Sequence, residues 1–193
     1  IEKKMPIDIS DLIDSFLGKN ETAKVNLINF FYERLFNFLK DLGYSNELVD
    51  AVVSSKPKQI HDVLERLQAI NEFIKLEESE TLSSANKRVS NILKKSDKKI
   101  NDVIDLKLLT DSEEIKLHKT LMSSEEEIKK CLQRNDFVSA LKNLVILNKP
   151  INNFFEKVMV NTDDIKTKNN RYSLLYKLRK NLSCVADISK LAS

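Results

Sequence analysis

ANKRVSNILKK, Ala85 to Lys95, decides how this chain is read. Leu82, Ala85, Val89, Ile92 and Leu93 recur at spacings of three and four, the period of one face of a helix and not of a strand. Lys87, Arg88, Asn91, Lys94 and Lys95, with Lys98 beyond, gather on the other side. No Asp or Glu lies between Glu80 and Asp97 to neutralise them. An apolar stripe docks such a helix and leaves its basic face outward. That face has two readings: a surface for a polyanion, or a lysine-rich face that water solvates.

The same period extends in both directions. Upstream, Ile60, Val63, Leu64, Leu67, Ile70 and Ile74 carry a helix that Pro57 opens, and Glu77-Glu-Ser joins it to the basic helix. Val25 to Leu42 reads as an amphipathic helix with Leu27, Phe31, Leu35, Phe38 and Leu42 as its stripe, stopped by Gly43; Ser45 suits an N-cap for Asn46 to Ser54. Asp8 to Leu17 is a short helix ending at Gly18. Downstream, Ser96 to Asn101 is a charged break. Asp111-Ser-Glu-Glu opens a long helix with acids where its macrodipole favours them, and a second start at Ser123-Ser-Glu-Glu-Glu is expected to split it. Asp136 to Leu147 is helical. Lys149-Pro150 breaks it, with Pro150 in the first turn of Ile151 to Met159; Asn161-Thr-Asp-Asp is a loop or cap, and a last helix runs from about Lys168 to Ile188. No β-alternation and no internal repeat is visible. Two glycines and three prolines in 193 residues leave few turn-makers, which favours long helices on short polar loops. The fold class is all-α, a helical bundle with antiparallel neighbours.

Composition narrows the function classes. A chain 41% hydrophobic and 32% charged is ordinary for a soluble globular protein, and 193 residues can bury a real core. No stretch approaches the roughly 20 apolar residues of a membrane span, and IEKKMPIDIS lacks the apolar segment of a signal peptide. A chain that starts on Ile is expected of a piece cut from a longer protein. Cys131 and Cys184 are solitary, which points to a reducing cytoplasm and to no disulfide framework. The net charge of +3 hides local asymmetry. Asp111 to Glu127 holds six carboxylates against Lys116 and Lys119, whereas Ile165 to Ala186 holds six Lys or Arg and no acid.

No assembled chemistry is apparent. Neither His61 nor His118 has a second His or Cys at i+3 or i+4, the cysteines lack ligand spacing, and Gly18 and Gly43 cannot make a phosphate loop. No catalytic or metal-ligating residue is expected. Two polar residues break the helical pattern. Asn86 projects near the apolar edge of its helix and must find hydrogen bonds there. Arg171 shares a face with Leu174, Leu175, Leu178 and Leu182, so its guanidinium needs a carboxylate, Asp163 or Asp164, or a phosphate. Lys177 and Lys180, with Tyr176, lie on the outer face of that helix and are freer to meet phosphate. The pairs Phe30-Phe31, Phe36 with Phe38, and Phe154-Phe155 have core spacing and read as packing.

In this order, these residues resemble the C-terminal region of the β subunits of bacterial two-subunit glycyl-tRNA synthetases. FFYERLFNFLKDLGYSNELVDAV (Phe30 to Val52), ANKRVSNILKK, PINNFFEKVMVNTDD (Pro150 to Asp164) and the closing run from Asn170-Arg171 to Asp187-Ile188-Ser189 are the four blocks that carry the resemblance. From about Ser79 onward the chain is similar to the DALR-type helical anticodon-binding domain. The eponymous stretch here reads Asp164-Ile165-Lys166-Thr167-Lys168, so its arginine is represented by Lys168, and Asn152, Asn153 and Asn161 depart from the residues usual in that family.

The resemblance implies three regions: 1–20 as the tail of a preceding part, 21–77 as helices packed on the next, and 78–193 as the anticodon-binding domain. It implies glycine tRNA as a partner, an α subunit in an α2β2 assembly, and aminoacylation with ATP and magnesium in that α subunit. No cofactor is expected in this piece, nor DNA or a membrane. The expected RNA-binding residues are Lys87, Arg88, Asn91, Lys94, Lys95, Arg171, Lys177 and Lys180. The alternative is a helical module that docks within the synthetase without touching RNA.

Overall fold

The computed structural model describes residues 8–18, 20–96, 100 and 102–192. Nine α-helices run through them with short 3-10 turns between, and no strand occurs among the described residues; Asp8 and Gln59 make one isolated bridge. Helix α1 spans Ile9–Leu17, capped by the Asp8 carboxylate, which accepts from the Ser10 amide at 2.8 Å. Helix α2 is Glu21–Asp41 and α3 is Asn46–Ser54, with Ser45 as its N-cap. Gly43 turns the chain between them at φ 92, a conformation that side chains other than glycine strain to adopt. Helix α4 is Val63–Phe73 and α5, the basic helix, is Ser79–Lys94. Pro57 does not open α4: a 3-10 turn at Ile60–Asp62 intervenes, and the Pro57 carbonyl instead accepts the buried Tyr32 hydroxyl at 2.9 Å.

Helix α6, Ser112–Gln133, runs unbroken, contrary to the expected split at Ser123. Ser124 is buried and donates its hydroxyl to the Asn143 carbonyl at 3.2 Å across to the next hairpin, so this serine serves packing and caps nothing. The buried stripe Leu117, Leu121, Ile128 and Cys131 carries the helix through. Helix α7 is Phe137–Lys142, shorter than expected because the chain tightens into 3-10 geometry at Val145–Leu147; α8 is Asn148–Lys157, with Pro150 in its first turn. Helix α9 is Ile165–Leu182. It starts three residues earlier than its apolar pattern because Asp164 caps it, accepting from the Thr167 amide at 2.8 Å, and it ends at Ser183, before a 3-10 turn at Ile188–Leu191.

Helix α4 lies along α7; α5 lies along α9, α8 and the closing 3-10 turn; α6 packs on α7, α8 and α9. One hydrophobic cluster extends from Tyr32 on α2 to Ile188 in the closing turn. On α2 the buried residues are Tyr32, Leu35 and Leu39. Leu27, Phe38 and Leu42 of the expected stripe are exposed, and so is Phe30. The helix is turned by roughly a quarter of a revolution from the orientation its apolar pattern suggests. No helix of the described residues is long and apolar enough to cross a membrane.

Candidate nucleic-acid interface

Helix α5 sits on the core through Leu82 and Val89, both fully buried. Asn86 is fully buried as well, and its amide donates to Ser183 Oγ at 3.2 Å and Asp187 Oδ1 at 3.4 Å. The asparagine thus fastens α5 to the end of α9 and the closing turn, as its position on the apolar edge requires. With that side fixed, Lys87, Arg88, Asn91, Lys94 and Lys95 are all exposed. They are not equivalent. Lys87 donates to the Ala192 carbonyl at 3.1 Å. The Arg88 guanidinium lies 4.2 Å over the Phe155 ring, at the α8 margin of the helix. The side chains of Asn91, Lys94 and Lys95 make no hydrogen bond or ion pair among the described residues. Lys98 lies outside the described residues.

Arg171, expected among the RNA-binding residues and semi-buried, finds carboxylates inside the fold. It is 6% exposed, and its guanidinium pairs with Glu114 through Nε, with Asp111 at 2.6 Å, and with the Met159 carbonyl at 2.6 Å. Asp163 and Asp164 are not its partners; Asp164 is occupied by the α9 amides. Glu114 also accepts from the amides of Thr110 and Asp111 at 3.1 Å each, so one buried carboxylate both caps α6 and holds α9. Sequence reasoning missed these partners because they lie 57 and 60 residues away. Lys177 meets Glu125 at 3.0 Å and Lys180 meets Asp102 at 3.0 Å. The hydrogen bond raises the basicity of Lys180 and lowers the Asp102 carboxyl below its ordinary range. The Lys180 pair is exposed and worth little; Lys177 is half-buried, its side chain 19% exposed, and so does not stand on the outer face expected of it.

Two further residues belong to this surface. The Arg179 Nε donates to Ser90 Oγ at 2.9 Å, tying α9 to α5, and Arg179 has no carboxylate partner among the described residues. Together with Tyr176 it lines two clefts. One, of about 230 Å³, includes Ser90, Leu93 and Lys94; the other, of about 290 Å³, includes Ser55, Lys180, Ser183 and Asp187. Arg179 lies in the acid-free run from Ile165 to Ala186, and nothing in its spacing sets it apart from the other cations there.

Among the described residues no group of His, Cys, Asp and Glu could hold a metal ion. Both cysteines are free, and burial pushes the Cys184 thiol up to about 12, far from a reactive thiolate. The α5 and α9 surface offers cations, amides and a tyrosine around shallow clefts, a chemistry suited to holding an anionic chain.

Against known proteins, residues 82–188 match the family model described as the DALR anticodon binding domain, more than half of the chain. The chain belongs to the DALR anticodon-binding domain family. The glycine–tRNA ligase β subunit of Janthinobacterium sp. (strain Marseille) is 41% identical over all of the chain, and that of Ralstonia nicotianae 40%. The corresponding subunit of Dechloromonas aromatica is 40% identical over 90% of it. The chain spans about 28% of the length of the first two of these curated relatives. In this member of the DALR family the eponymous stretch, Asp164 to Lys168, is the capped start of α9, with Lys168 lying 6.0 Å over the Tyr172 ring.

Proposed function

We propose that this chain is the part of a glycine–tRNA ligase β subunit that holds the anticodon arm of glycine tRNA. The observation that carries the reading is the α5 face in a DALR-family domain. Its buried side is locked by Asn86, while Asn91, Lys94 and Lys95 stand exposed without protein partners among the described residues. The work is positioning. Binding energy gained at the anticodon arm aligns the distant acceptor end for reaction, and unpaired loop bases can be splayed and read while Lys and Arg hold the backbone. The reaction, glycine joined to tRNA with ATP and magnesium, is assigned to an α subunit in an α2β2 enzyme. Lys87, Arg88, Asn91, Lys94 and Lys95 form the contact set, with Lys177 and Lys180 beside it after exchange of their carboxylate partners. Arg171 supports the fold under them.

The reading is tested by titrating the chain with the anticodon hairpin of glycine tRNA across a salt series. Replacing Lys94 and Lys95 by Gln is expected to weaken binding and to make the salt dependence shallower by about 0.7 per lost phosphate contact. Binding that ignores both salt and the double substitution would refute it.

A specific observation favours a second role on another surface. Phe16 is 78% exposed on α1, and Phe30, Phe38 and Leu42 are about half exposed on one flank of α2. Apolar groups gathered this way mark docking surfaces. In a chain spanning 28% of its relatives' length, this flank is the place to dock within the synthetase. Phe30→Ser with Phe38→Ser is expected to leave hairpin binding by the chain intact while weakening association in the whole enzyme.

A further inference from the structure

We propose that the paired clefts around Tyr176 and Arg179 take one unpaired nucleotide of the bound RNA, its base against the Tyr176 ring and its phosphate on Arg179. The proposal deepens the RNA-binding reading and rests on it. A half-buried guanidinium is costly without an anion beside it. Every other half-buried or buried arginine of the described residues is answered by a carboxylate or lies against a ring: Arg171 by Glu114 and Asp111, Arg66 by Asp62 at 3.0 Å. Arg179 has only the Ser90 hydroxyl on Nε, so its two terminal nitrogens keep the fork that fits a phosphate. Lys94 lines one cleft and Lys180, paired with Asp102 at 3.0 Å, lines the other, so that three cations flank the clefts that share Tyr176.

Tyr176 completes the site. Its hydroxyl makes no hydrogen bond among the described residues, and the half-buried ring lies where the two clefts meet. An aromatic ring flanked by cations is the usual platform for a single-stranded base, because every base has a face to stack while only its backbone carries charge. The larger cleft, about 290 Å³, has room for one nucleotide. Asp187 in that cleft repels phosphate; its Oδ1 accepts from Asn86 and Ser189, and a carboxylate so placed suits the N–H groups of a base better than a phosphate. The site therefore orients its guest, with the phosphate towards Arg179 and Lys94 and the base towards Ser183 and Asp187.

The test uses the intact 193-residue chain and anticodon hairpins of glycine tRNA carrying 5-iodopyrimidines at single loop positions. Irradiation of the wild-type complex is expected to crosslink one loop position to the peptide that contains Tyr176. Tyr176→Leu and Arg179→Gln are each expected to weaken hairpin binding by roughly 5- to 100-fold, with Tyr176→Phe close to wild type and Arg179→Lys intermediate. A crosslink that maps elsewhere, in a chain that does bind the hairpin, overturns the nucleotide site whatever the variants do and leaves the RNA-binding reading standing. Wild-type affinity in both Tyr176→Leu and Arg179→Gln overturns it equally. A wild-type chain that does not bind the hairpin overturns the RNA-binding reading and this site with it.

Discussion

Arg171 shows what one residue holds and what it does not. Its guanidinium joins α9 to the start of α6 through Glu114, which is fully buried, and to the chain after α8 through the Met159 carbonyl. Removing one partner of a buried pair strands the other charge, so Arg171→Met is expected to cost about 3–5 kcal/mol in urea unfolding. Arg171→Lys restores little of it, because one ammonium cannot reach three acceptors arranged for a planar fork. The folded fraction keeps its RNA affinity, which separates support from contact. His118 gives the residue scale a pH dependence. Burial, with Lys177 next in importance, lowers its pKa from 6.5. The unfolded chain therefore binds the proton more readily than the native one. Stability contributed by the neutral imidazole is present above pH 6.5 and falls as pH drops from there through the depressed native value. Unfolding of wild type and His118→Gln between pH 5 and 7.5 checks this: the variant is expected to show a shallower loss of stability over that window.

At the scale of elements, α2 separates what its pattern reveals from what packing decides. Its apolar residues surround more than half of the helix, so period alone shows that a helix forms and not which stripe faces inward. Packing against α3 selects Leu39, which is fully buried, over its neighbour Phe38, which is 46% exposed. Leu39→Ala is thus expected to cost about 2–5 kcal/mol, whereas Phe38→Ala is expected to stay within about 0.5 kcal/mol of wild type; urea midpoints of the two variants decide it. Asp8, read as the first residue of α1, is its cap, whereas the cap at Ser45 and the helix start at Asp111 were legible because both are local chemistry. The same holds for the exposure of Lys87, Arg88, Asn91, Lys94 and Lys95, since α5 is apolar on one side only. Ser123-Ser124 misled because a serine can satisfy its hydroxyl on a facing carbonyl, and only the tertiary neighbour Asn143 reveals that it does. Arg179 was illegible for the opposite reason: what distinguishes it from Lys180 is a missing carboxylate, and a lack of partners has no sequence pattern.

At the scale of the molecule, the helices before α5 and those after it share one core. The Asp187 amide donates to the Ala51 carbonyl at 2.7 Å, fastening the closing turn to α3. Arg66 on α4 reaches the Val185 carbonyl at 2.7 Å and lies 4.5 Å over the Phe137 ring of α7. Leu67 and Ile70 are fully buried on the same helix, in the cluster that ends at Ile188. Cutting between α4 and α5 would uncover that apolar side of α7 and the closing turn together, so residues 78–193 alone are expected to be poorly soluble or only partly folded. The full chain should unfold as one cooperative unit. Leu67→Ala makes the decisive variant, because it lies in α4 and leaves every residue of α5 and α9 unchanged. It is expected to remove about 2–5 kcal/mol and to lower by the same amount the opening free energy read from amide hydrogen exchange in α9 and the unfolding free energy read from far-ultraviolet dichroism. Unmoved exchange protection in α9, with a lowered dichroism transition, would mean that α5 to α9 stand without the α3–α4 pair, and that the basic face of α5 is held by α8 and α9 alone.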